Sequence, residues 1–317
     1  MGKWARRLIV GALVVVALYF AGTAFGAALL LNHLLTPGTV DWSGAGNPNP
    51  PTDPVELGYR GDPQAAFGLA FETVQYETAL GPAEAWLVPG TTTNAPWAIY
   101  VHGIGGIREN GYKQLTALME AGLTTLMITY RNDRGAPSAP NPLYAFGTTE
   151  WADLDAAVTW ALGQGAPSVV LVAESMGGGI AGEFLRHSSQ RDIVVGLALD
   201  APALEFHRVV TGALGHFHLP FADQIASMGV GLFDATHGSN LASADTRDAV
   251  ASFPGPLFLA HGSADGLVPV DISDNLVARR TAPTTYLRTG ANHLLSYKED
   301  PARYRDEMVA FLRALLP

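Results

Sequence analysis

Three residues of this 317-residue chain could act together on a carbonyl carbon: Ser175, Asp265 and His293. Ser175 follows the apolar run Val169-Val170-Leu171-Val172-Ala173-Glu174 and precedes Met176-Gly177-Gly178-Gly179. That pattern predicts a buried strand, a sharp turn with the serine at its apex, and a helix starting behind it. It matches G-x-S-x-G, with Ala173 in the first glycine position. A serine hydroxyl is a poor nucleophile alone and needs an adjacent base. His293, in Gly290-Ala291-Asn292-His293-Leu294-Leu295, follows the last predicted strand, and Asp265, in His261-Gly262-Ser263-Ala264-Asp265-Gly266-Leu267-Val268-Pro269, follows the strand before it. Singly, each has a plainer reading: a glycine-rich helix start that binds phosphate or only packs, a loop histidine, and an Asx-turn before Gly266. No Lys follows the glycines, which excludes a P-loop. As a set they supply a nucleophile, a proton carrier and an acid that orients the carrier.

Acyl transfer also needs donors for the oxyanion. For a strand–turn–serine–helix motif these are the backbone N–H of the residue after the serine, Met176, and one from the loop after the third strand. That loop is His102-Gly103-Ile104-Gly105-Gly106, and Ile104 N–H is the expected second donor. Asp200 also closes a predicted strand and competes with Asp265 as the acid; the fuller motif around Asp265 favours the latter. Asp133, Asp153 and Asp155 read as loop and helix-surface charges. His207, His216, His218 and His237 invite a metal reading, but the chemistry requires none, and no metal or cofactor is expected.

The elements that position these groups alternate. Apolar–polar alternation over 71–76 and 83–88 predicts half-exposed antiparallel strands. Strands are expected at 97–101, 124–130, 169–174, 194–200, 256–260 and 284–287, with helices near 112–121, 149–162, 178–186, 272–280 and 301–316. This rhythm predicts a mostly parallel sheet with helices on both faces and ligands at the carboxyl ends of the strands. The insert 203–250, with apolar faces through Phe206, Val210, Leu214, Phe217, Phe221 and Phe233, is expected to form a small helical lid or an ordinary helical excursion.

Charged residues make up 15% of the chain and the formal net charge is −10. The only charges in residues 1–35 are Lys3, Arg6 and Arg7, so the remainder is more acidic still. That balance argues against nucleic acid as a partner and against a polybasic lipid-docking patch. Cysteine is absent, which excludes a thiol nucleophile, disulfides and zinc–thiolate sites. The uncharged run from Leu8 to Leu31 spans ~36 Å as a helix, enough for a ~30 Å hydrocarbon core. Residues 1–35 are therefore expected to be a transmembrane anchor, with the basic residues cytoplasmic and the domain outside. A cleaved signal peptide, and hence a secreted domain, is the alternative. Residues 36–66 are rich in Pro and Gly and read as a linker, and 67–317 as the catalytic domain.

The set His102-Gly103-Ile104-Gly105-Gly106, Glu174-Ser175-Met176-Gly177-Gly178, Leu199-Asp200-Ala201-Pro202, the Asp265 segment and Gly290-Ala291-Asn292-His293 resembles the α/β-hydrolase superfamily, in its serine esterase, lipase and peptidase-like branch. The chain order Ser, Asp, His is the one that resemblance implies; Ala173 is the departure. The resemblance implies a serine hydrolase, with carboxylic ester cleavage through an acyl-enzyme as the leading expectation. The substrate would be a small-molecule or lipid-derived acyl compound. Amide or thioester hydrolysis, acyl transfer, and a non-catalytic binding or scaffold domain are the alternatives.

Overall fold

The computed structural model describes residues 2–317. Among them, eight strands form one sheet: β1 (Glu72–Thr78), β2 (Gly81–Val88), β3 (Trp97–Val101), β4 (Thr125–Ile128), β5 (Val169–Glu174), β6 (Val194–Asp200), β7 (Leu257–Gly262) and β8 (Thr284–Thr289). Their order is β1-β2-β4-β3-β5-β6-β7-β8. Pairings are antiparallel from β1 to β2 and from β2 to β4, and parallel from β4 through to β8. The strand order reverses at β3. The crevice beyond the carboxyl ends of β3 and β5 is where such a sheet exposes loops from both directions.

The helices are α1 (Lys3–Leu35), α2 (Pro63–Phe67), α3 (Tyr112–Glu120), α4 (Trp151–Gly163), α5 (Met176–His187), α6 (Phe206–Gly215), α7 (Ala222–His237), α8 (Arg247–Ser252), α9 (Asp271–Arg279), α10 (Ser296–Glu299) and α11 (Pro301–Arg313). Period-2 alternation divides the central strands between two cores. Val169, Leu171 and Ala173 of β5 point to the face covered by α4, α5, α8 and α9. Val170 and Val172 point to the face covered by α3 and α11. All six residues of β5 are buried, which is why the strand reads as a continuous apolar run in sequence.

The insert forms α6 and α7. Helix α1 packs along α7. It is, among the described residues, the one helix long and apolar enough to cross a membrane. Its 33 residues extend ~50 Å at ~1.5 Å per residue. The buried residues Ala24, Ala27, Ala28, Leu31 and Leu35 recur at helical spacing and form one stripe. Residues 36–62 lie over the carboxyl edge of the sheet. Trp42 covers Gly105, Tyr112 Oη donates to Gly61 O at 2.5 Å, and Asp62 caps α2 through Ala65 N.

Candidate active site

Ser175 sits between β5 and α5 with φ 50° and ψ −122°. A non-glycine residue at positive φ is strained and persists only where its surroundings fix it. Three backbone bonds do so: Ser175 N donates to Asp200 O at 2.9 Å, while Ala203 N and Gly178 N donate to Ser175 O at 2.9 and 3.0 Å. The turn also brings α5 against β3. A Cβ at Gly177 would lie 2.3 Å from Val101 O, so no larger residue fits. Ala173, the departure from the glycine pattern, is buried in the core; its methyl projects into packed side chains and Ser175 still adopts the strained turn.

The structure brings Ser175, His293 and Asp265 together. Ser175 Oγ is 3.0 Å from His293 Nε2, and His293 Nδ1 is 2.7 Å from Asp265 Oδ2. A proton on Nδ1, donated to the carboxylate, leaves Nε2 able to accept from the serine; the partners assign that tautomer. Asp265 is fully enclosed. Its Oδ1 accepts from Leu267 N at 2.9 Å and Val268 N at 2.8 Å, and Oδ2 also meets His261 Nε2 at 3.1 Å. Burial pushes this carboxyl up, but bonds from His261 and His293 outweigh burial and hold it well below the usual carboxylate range. It is therefore ionised at neutral pH and suited to stabilise a charged imidazole.

The loops carrying these residues are tied to each other. Asn292 Oδ1 accepts from Gly266 N at 3.0 Å and from His293 N at 2.7 Å. Ser273 Oγ lies 2.7 Å from His261 Nδ1, so a proton on His261 Nε2 is directed at Asp265 and Val268 O.

Met176 N–H opens α5, and Ile104 lies in the glycine loop after β3. Among the described residues neither N–H has a hydrogen-bond acceptor, the state expected of donors reserved for a ligand at a helix start. Gly103 packs so close that a Cβ there would stand 3.0 Å from Ser175 Cβ. Tyr130 Oη donates to Gly103 O at 3.0 Å. His102 is fully buried and stacks on Tyr130, and its Nε2 meets Asp133 Oδ2 at 2.9 Å. Asp133 thus braces the glycine loop rather than lying on the surface. Asp153 is also buried, gripped by Arg131 Nε and Nη2 at 2.8 Å each. A reading that equates charge with solvent exposure misplaces both.

Asp200 does not reach His293. It lies at the end of β6, where Lys113 Nζ meets its Oδ2 at 3.1 Å and Tyr304 Oη donates to the same oxygen at 3.1 Å. Lys113 also contacts Glu174 Oε2 at 3.4 Å and donates to Leu294 O at 3.2 Å. The three donors of one buried ammonium therefore join the residue before Ser175, the end of β6 and the residue after His293. Leu294 is itself at positive φ. Burial lowers the Lys113 ammonium's proton affinity, but Asp200 and Glu174 more than offset it and hold the group above its ordinary value. Its position near the start of α3 gives no sequence signal of this role.

The insert's histidines are dispersed: His207 Nε2 bonds Ser227 Oγ at 2.9 Å, and His237 Nδ1 meets Phe233 O at 3.0 Å. Ser175 and His293 open into a cavity of about 1090 Å3, whose walls include Phe206, Val210 and Leu214 of α6 and Leu30, Leu31 and Leu34 of α1.

The sheet order, the strand–turn–helix at Ser175 and the helical layers together define the α/β-hydrolase fold. Among solved structures, an esterase from Pyrococcus furiosus is similar over 85% of this chain and 98% of its own, with a TM-score of 0.62 and 18% identity. An esterase from Exiguobacterium antarcticum is similar over 76% of this chain and 100% of its own, with a TM-score of 0.55 and 16% identity. A hyperthermophilic esterase from Pyrobaculum calidifontis is similar over 77% of this chain and 85% of its own, with a TM-score of 0.54 and 16% identity. No protein-family model matches the chain, and no curated protein does.

Proposed function

We propose that the protein is a membrane-anchored serine hydrolase that cleaves carboxylic esters. The observation that carries this reading is the continuous hydrogen-bonded path from Ser175 Oγ through His293 to Asp265 at the wall of a large cavity. Ser175 Oγ attacks the ester carbonyl carbon as its proton passes to His293 Nε2. The N–H groups of Met176 and Ile104 receive the developing oxyanion. The bond to the alcohol oxygen then breaks, and His293 gives its proton to that oxygen, leaving an acyl group on Ser175. Water attacks the acyl carbon, its proton goes to His293 and on to Ser175 Oγ, and a carboxylic acid leaves. Asp265 holds the imidazole in register and stabilises its cationic form throughout. The esterase names carried by the structural neighbours agree with this chemistry.

Helix α1 is the anchor in this reading, with Lys3, Arg6 and Arg7 on the cytoplasmic side and the site outside. The full chain should react with a fluorophosphonate probe at one residue, Ser175, and Ser175→Ala should abolish the label. A folded wild-type protein that takes no label contradicts the reading. Protease added to intact cells should release the domain; a domain spared by the protease contradicts the orientation.

A further inference from the structure

We infer that α1 is a wall of the acyl-binding cavity as well as an anchor, and that the substrate is a long-chain acyl ester of a lipid drawn from the leaflet in which the lid is seated. This rests on the serine-hydrolase reading above.

The first observation is the lining. Leu30, Leu31 and Leu34, on the last two turns of α1, line the same cavity as Ser175 and His293. Phe206, Val210 and Leu214 of α6 line it too. At about 1090 Å3 the cavity is at the upper end of the ~300–1,000 Å3 usual for small-molecule sites. A cavity of that size, with the side chains of α1 and α6 making part of its lining apolar, suits an extended acyl chain better than a compact ester.

The second observation is how α1 is held. A Cβ on Gly229 of α7 would stand 2.7 Å from Ala27 Cβ and 3.4 Å from Ala24 O. Small residues on both helices thus permit close approach, the device used by helices that associate in lipid. Tyr144 N donates to Leu35 O at 3.0 Å and fixes the end of α1 to the domain.

The third observation is depth. Counted from Leu8, about 20 residues cover a ~30 Å hydrocarbon core, which then ends near Ala27. Tyr19 and Phe20 lie within that span, yet both touch the lid. Tyr19 Oη donates to Pro220 O at 2.7 Å, and the Phe20 ring is 5.7 Å from that of Phe221. Tyr19 and Phe20 lie ~10–12 Å inside the outer end of the hydrocarbon, so the connection between α6 and α7 that touches them sits among the acyl chains of the outer leaflet. Phe217, Phe221, Met228 and Leu232 present exposed apolar surface on this part of the insert. The cavity wall at Leu30–Leu34 begins one turn above the hydrocarbon. A chain rising from the leaflet beside the lid needs to cross little water to reach Ser175.

The test uses the full chain in phosphatidylcholine nanodiscs and a hexadecyl fluorophosphonate with a diazirine at the far end of its chain. The phosphonate head should label Ser175, and photolysis should join the chain end to residues 27–35 or to α6. Labelling of Ser175 with photo-adducts confined to other parts of the protein, or to lipid, overturns the inference and leaves the hydrolase reading intact. Failure to label Ser175 overturns the hydrolase reading, and the inference with it. Leu34→Trp gives a second readout. A ring occupying the space of two methylenes should cut the ratio of kcat/KM for hexadecanoyl over butanoyl esters by about fifteenfold, since each buried methylene contributes roughly fourfold. An unchanged ratio contradicts the assignment of α1 to the cavity wall.

Discussion

Asp200, the last residue of β6, and Asp265, just after the neighbouring parallel strand β7, both have buried carboxyls, yet they meet different partners. Asp265 faces two imidazoles and two backbone N–H groups. Asp200 faces an ammonium and a phenol. The first arrangement can share a proton-transfer path, because an imidazole gains and loses its proton near neutral pH. The second holds a permanent charge in place. Position at a strand end therefore admits both residues as candidates for the acid, and the neighbouring side chains distinguish them. Lys113 makes the contrast functional: the Asp200 cluster grips Glu174 and Leu294, the residues flanking Ser175 and His293. One cluster takes part in the proposed chemistry; the other fixes where that chemistry occurs.

Asp265→Asn should lower kcat by ~10³–10⁴ with the fold retained, because the amide disfavours the required imidazole tautomer. Asp200→Asn should lower kcat of the folded protein by less than about tenfold. Steady-state assays with one short ester compare the two, and a larger loss at Asp200 reverses the assignment.

Lys113→Met removes the cation shared by two buried carboxylates. Breaking such a pair costs about 3–5 kcal/mol, to be read from denaturant titration. With Leu294 released, kcat of the remaining folded molecules should fall about tenfold. A variant as stable as the wild type breaks the account of this cluster.

Ser273→Ala should have a smaller effect, about threefold to tenfold on kcat. It frees His261 Nδ1 without touching Asp265 directly. An effect as large as that of Asp265→Asn places Ser273 in the proton path itself.

The two clusters should also differ in pH dependence. Asp265 has a depressed folded-state pKa, so its stabilising contribution is present above the unfolded carboxylate value of about 3.9 and is lost as pH falls through the folded value. The stability deficit of Asp265→Asn should shrink in acid, as pH falls through the folded value. Lys113 has a raised value, so its contribution is full below about 10.4 and is lost as pH rises through the folded value. The deficit of Lys113→Met should persist through neutral pH and shrink only in strong alkali. A Lys113→Met deficit that varies between pH 6 and 8 contradicts this division.

Much of the scaffold was legible because buried parallel strands leave near-continuous apolar runs, and Val169–Glu174 is such a run. Ser175, Asp265 and His293 stood out because each interrupts the pattern at a strand end. The ionic scaffold was not legible. Lys113, Asp133 and Asp153 carry the charges of surface residues, and only three-dimensional pairing with Asp200, His102 and Arg131 explains their burial. The contribution of α1 to the cavity was equally hidden. Hydropathy shows that Leu30, Leu31 and Leu34 are apolar; that they line the same cavity as Ser175 is visible only in the folded chain.

The most direct test of the central claim is the acyl-enzyme. The full chain mixed with a p-nitrophenyl ester, quenched in acid within one turnover and mapped by mass spectrometry should carry one acyl group on the peptide containing Ser175. Ser175→Ala should carry none and lose turnover. Hydrolysis that persists in Ser175→Ala, or an acyl group on another residue, contradicts the account.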